Sequence, residues 1–187
     1  TLHWDLALRG MVDIVTSSVG AIFSVLATLL SLVQTIIPYK SDERPLTDTE
    51  KDVLKNVFRS SLALYNIRIK NTSGLETIFV LGNTIYCGSP GLNIPIQILV
   101  HECVHVWQYQ NLGYRYLIDA LGAQMIYGRD PKNACAPGNA YDWIAELNRG
   151  ATKWEYFNKE AAAQLIEEIW TDGQLTITEL GITVSTI

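Results

Sequence analysis

The sequence predicts an α+β domain, mostly α, in which a small antiparallel sheet leads into a buried helix. Three observations carry that expectation. Val53, Leu54, Val57, Phe58 and Leu62 recur at helical spacing, as do apolar residues in later runs. Thr77 to Leu81 and Thr84 to Cys87 are β-prone segments flanking Gly82 and Asn83, a pair suited to a tight hairpin turn. Shortly after comes the run Ile96 to Gln110, apolar nearly all round yet holding two His and a Glu.

At 187 residues the chain suits one domain with an appended segment. We divide it into an apolar N-terminal helix within 1–40 and a main domain over 41–187. A hydrophobic content of 48% against 18% charged residues describes an ordered globular protein. The net charge of −5 and the lack of a Lys/Arg cluster argue against a nucleic-acid partner. Cys87, Cys103 and Cys135 are too few and too irregular for a disulfide framework or a thiolate zinc site, although a Cys87–Cys135 bridge stays open. The chain starts at Thr1 and has no basic leader with a cleavage site, so we expect a piece of a longer chain or a processed product.

Ile14 to Pro38 is a run of 25 residues without a charge, long enough to span a bilayer. Ser17, Ala21, Ser24, Thr28, Ser31 and Thr35 form a small, polar stripe along it. A helix docked on its own domain is the expectation, and membrane contact through 14–38 is the alternative. Tyr39 to Pro45 reads as a linker. Thr47 and Glu50 fit a capping box that opens the next helix. Ile67 to Lys70 alternates like a half-buried strand, and the hairpin follows. Tyr114 to Tyr127 is helical; Gly128 to Gly138 is a loop. Tyr141 to Phe157 and Asn158 to Trp170 are two more helical stretches, the second capped by Asn158. Leu175 to Val184 alternates and reads as a strand or extended tail.

The run from Ile96 contains His101, Glu102 and His105 in the spacing H-E-x-x-H. Residues four apart share a helix face, so both imidazoles can reach one metal ion. Buried His and Glu residues need partners, and a metal supplies them. Zinc on two imidazoles and one further ligand keeps an open position and acidifies a water there. Glu102 is then placed to take a proton from that water as it attacks a peptide carbonyl. Cys103 points away from this face and is expected in the core. Tyr141 and Tyr109 are candidate donors to the oxyanion.

A third ligand must come from elsewhere, since no His follows His105 and His3 lies far upstream. Among the downstream carboxylates, Glu160 stands in the first turn of a helix beside Ala161, Ala162 and Ala163, small residues that permit close approach. Glu146 is its main competitor.

The segment from His101 to Gln110 resembles the H-E-x-x-H-V-W-Q stretch of zincin-like domains associated with bacterial contractile injection systems. Arg44 to Thr47, Leu81 to Tyr86, Tyr114 to Gln124 and Phe157 to Glu160 are also similar, in the same order. The resemblance covers about Arg44 to Trp170, and is nearest to metallopeptidase effectors fused to the C-terminus of VgrG-type type VI secretion spike proteins. It implies a zincin-like fold and a Zn2+-dependent toxin injected into a target cell, with a protein or peptide substrate. It also implies that His101, His105 and Glu160 hold the metal and that Glu102 acts as base. The family has Glu-Gln-Gln-Ala where this chain has Glu160 and three alanines. The rival expectation is a binding or membrane-interacting module in which zinc is structural.

Overall fold

The computed structural model of the chain describes residues 42–72, 78–88, 92–127, 139–153 and 156–172, the side chains of 125–127 and 172 excepted. The apolar run Ile14 to Pro38, the loop bearing Cys135 and the alternating tail from Leu175 lie outside these residues. Among the described residues, no helix is long and apolar enough to cross a membrane.

The elements are β1 (Glu43–Pro45), α1 (Asp48–Phe58), β2 (Arg68–Asn71), β3 (Ile78–Leu81), β4 (Thr84–Cys87), α2 (Ile96–Leu112), α3 (Arg115–Tyr127), α4 (Trp143–Asn148) and α5 (Lys159–Asp172). This is an α+β architecture, mostly helical, with one four-stranded sheet in the order β1-β2-β4-β3. The hairpin forms as expected: β3 and β4 pair antiparallel, Leu81 opposite Thr84, and Gly82 takes φ +67° in the turn. Phe79 and Tyr86 face each other across it with rings stacked 5.1 Å apart.

The sheet is mixed rather than antiparallel. β3 takes the outer edge, so β4 returns beside β2 and pairs with it in parallel, Ile69 opposite Ile85. A second correction concerns the expected linker. Glu43–Pro45 is an edge strand antiparallel to β2, with its proline at the strand's end. Arg44 fastens it, donating to both carboxylate oxygens of Glu50 at 2.7 Å and to the Leu92 carbonyl. Glu50 also closes the capping box, accepting from the Thr47 amide while the Thr47 hydroxyl accepts from its own.

Helix α1 buries Leu54 and Phe58, while Val53 and Val57 are half-buried. Helix α2 is the centre of the fold: Leu99, Val100, Cys103, Val104 and Val106 are all buried, and it packs chiefly on α5, with α3, β3, β4 and α1 around it. Gly113, at φ +64°, ends it and donates its amide to the Tyr109 carbonyl. Helix α5 presents Ala161, Ala162 and Ala163, all buried. The expected helix over 141–157 is the short α4 only. Asp142 caps it by accepting from the Ala145 amide, and Gly150 at φ +90° follows its end. Cys87 is a buried free thiol donating to the Lys70 carbonyl, and Cys103 is a buried core thiol as expected.

Asn158 opens α5, its Oδ1 accepting from the amides of Glu160 and Ala161 at 3.0 Å. Asn158→Ala is expected to lower the unfolding free energy by about 1–2 kcal/mol, read as a shifted urea midpoint. An unchanged midpoint contradicts the cap.

Candidate metal centre

Helical spacing puts His101 and His105 on one face of α2, their ring centroids 5.1 Å apart and their planes at 73°. Both rings are buried. The Asn158 cap sets where α5 begins, and so places Glu160 in its first turn, opposite them. Glu160 Oε2 lies 3.4 Å from His105 Nε2 and 3.7 Å from His101 Nε2. One ligand atom from each of the three residues falls within 4.8 Å of the others. A tetrahedral ion with ligand bonds of about 2.1 Å separates its ligand atoms by about 3.4 Å. The donor set therefore fits a small cation: this buried group can hold a metal ion.

The far sides of both rings are anchored. His101 Nδ1 lies 3.0 Å from Glu167 Oε2, an acceptor, so this nitrogen carries the proton. His105 Nδ1 lies 2.9 Å from Gln108 Oε1. The orientation of that amide is fixed because its Nε2 donates to the Lys159 carbonyl at 3.1 Å. Each imidazole thus gives its Nδ1–H to a fixed acceptor and turns Nε2 toward Glu160. Gln124 on α3 donates to the other Glu160 oxygen, Oε1, at 2.7 Å. Glu167 and Gln108 were readable in part from spacing, since they stand two turns after Glu160 and one turn after His105. Gln124 comes from a separate helix and leaves no local signal.

Burial alone would pull the imidazole pKa values down. The Glu160 and Glu167 carboxylates outweigh it at His101 and raise it to about 10. His105 is raised against the same burial, chiefly by Glu160. Burial pushes the Glu160 carboxyl up, but the two imidazoles hold it well below the usual carboxylate range.

Glu102 is buried on α2, and its charge bears on both imidazoles. Glu146, the competing third ligand, is not among the converging residues. Its Oε1 accepts from Asn158 Nδ2 at 2.7 Å and pairs with Arg149 at 2.9 Å. Of the two tyrosines, Tyr141 lies beside the site, its ring 5.9 Å from that of His101. Tyr109 packs instead on Tyr114 and Tyr116. Tyr116 also stacks near His105, but its hydroxyl donates to the Val80 carbonyl.

Comparison of the chain with protein-family models, curated proteins and solved structures returned no match.

With no cation bound, the raised imidazole pKa values stabilise the fold below about pH 6.5, and that stabilisation is lost as pH climbs through them, in the case of His101 toward about 10. The lowered Glu160 pKa acts oppositely: its stabilisation is present above about pH 4.5 and fades as pH falls. A binding cation must displace the imidazole protons. Zinc affinity, measured by chelator competition, is therefore expected to rise between about pH 6.5 and pH 9, by up to about tenfold per unit for each proton displaced. A flat profile contradicts the coupling.

Proposed function

We propose that this domain is a zinc-dependent metallopeptidase, acting on a protein or peptide substrate as a toxin effector. The observation that carries the reading is the convergence of His101 Nε2, His105 Nε2 and Glu160 Oε2 in a buried site beside Glu102. Two imidazoles and a carboxylate are a donor set of catalytic rather than structural zinc, which is usually closed by four protein ligands. Among the described residues three side chains converge. Zinc held by His101, His105 and Glu160 would supply a Lewis acid and make water acidic enough to attack near neutral pH.

The chain's own residues then have distinct tasks. Glu102 takes a proton from the attacking water and returns it to the leaving amine. Glu167 and Gln108 keep the imidazoles in one tautomer and one orientation. Tyr141, beside His101, is the better placed tyrosine to donate to oxygen charge developing on the peptide carbonyl. The resemblance of Arg44 to Trp170 to spike-fused effectors extends the reading to delivery. The domain would travel as the C-terminal part of a VgrG-type type VI secretion spike and act after injection into a target cell.

Glu102→Gln removes the base and preserves volume. Cleavage of a peptide library, followed by mass spectrometry, is expected to fall by about 10²–10⁴-fold while zinc content and thermal midpoint stay at the parent values. Cleavage at the parent rate would remove Glu102 from the mechanism. A parent protein that binds zinc yet cleaves nothing would favour the structural-zinc reading.

A further inference from the structure

We propose that Gln124 sets the coordination number of the metal by holding Glu160 to a single ligating oxygen; the inference rests on the metal-site reading above. A carboxylate can bind a cation through one oxygen or both. Here the two oxygens of Glu160 have separate surroundings. Oε2 faces the Nε2 atoms of His105 and His101, at 3.4 and 3.7 Å. Oε1 accepts from Gln124 Nε2 at 2.7 Å.

The amide orientation is not ambiguous. An ionised Glu160 offers only acceptors, so Gln124 must present its NH2. The same nitrogen lies 3.4 Å from the Tyr141 hydroxyl oxygen, so a second donation steadies it. Gln124 sits on α3, whereas the His ligands sit on α2 and Glu160 on α5. It therefore holds the carboxylate from a third direction. For Glu160 to bind through both oxygens, it would have to turn and give up a short, charge-assisted hydrogen bond in a site where the carboxylate is nearly inaccessible to water. With Gln124 in place, the protein would offer a cation three atoms and leave positions for water and substrate. Without it, Oε1 has no other hydrogen-bond donor among the described residues and would be free to fill one of those positions. Gln124 is a positioning residue: it touches the ligand, not the reacting atoms.

The test uses the full chain loaded with Co2+, whose visible bands lose intensity as coordination number rises. Gln124→Leu and Gln124→Met both remove the donor, and circular dichroism shows which of them folds as the parent does. The expected result is that the folded variant keeps Co2+ but shows weaker visible bands than the parent. A folded variant with the parent spectrum overturns the proposal. A crystal structure of the zinc-loaded parent gives a second measurement independent of any variant. Oε2 alone on the metal with Oε1 still on Gln124 supports the inference, and both oxygens on the metal overturn it. Failure of the parent to retain Co2+ or zinc would sink the metal-site reading itself, an outcome distinct from either.

Discussion

Three ionisable side chains, His101, His105 and Glu160, are respectively 7%, 6% and 5% exposed, and all point at one spot between α2 and α5. Burying a charge is expensive unless it is paired and hydrogen-bonded, because the interior answers poorly for lost water. The rest of the site follows from meeting that cost. Glu167 and Gln108 take the Nδ1 hydrogens, Gln124 takes the second carboxylate oxygen, and Gln108 reaches on to the main chain at Lys159. Between them lies the point where two Nε2 atoms meet one Glu160 oxygen, which suits a small cation or, in its place, protons on the imidazoles.

Bringing these groups together requires α5 to lie close on α2. Ala161, Ala162 and Ala163 are 0–1% exposed, and larger side chains at these positions would strain the packing around α5. The Asn158 cap fixes the start of α5, so the first turn, and Glu160 with it, has a defined place. Gln108 joins the two helices at the same level, bonding the His105 ring on one side and the carbonyl of Lys159, the residue before Glu160, on the other. The same few residues therefore set both the helix packing and the convergence of His101, His105 and Glu160. A glycine-turned hairpin and the Arg44–Glu50 clamp lie away from the centre and shape the sheet beside α2.

The parts readable in the sequence were those with a local period. His101 and His105 declare themselves by spacing, Thr47 and Glu50 by the capping box, Gly82 and Asn83 by the hairpin, and Glu160 by its place beside a run of alanines. What escaped depended on contacts between distant segments. The parallel pairing of β2 with β4 arises because β3 moves to the edge, and no residue in β4 announces it. The strand at Glu43–Pro45 depends on Arg44 reaching Glu50 and Leu92, and so read as a linker. The helix foreseen over 141–157 stops at Asn148 because Asp142 and Gly150 delimit it, signals weaker than the apolar spacing around them. Gln124 was invisible for the same reason: its task is defined only across three helices. Glu146 was a fair competitor on sequence, but it lies outside the His101, His105 and Glu160 cluster, its carboxylate engaged by Asn158 and Arg149.

The measurement that bears most directly on the central claim is X-ray absorption at the zinc edge, with elemental analysis, on the purified chain resupplied with zinc. The account predicts about one zinc per chain, ligated by two imidazole nitrogens and by oxygen, with metal–ligand distances near 2.0–2.1 Å. A chain that retains no zinc, or a metal bound through sulfur or through fewer than two imidazoles, would contradict it.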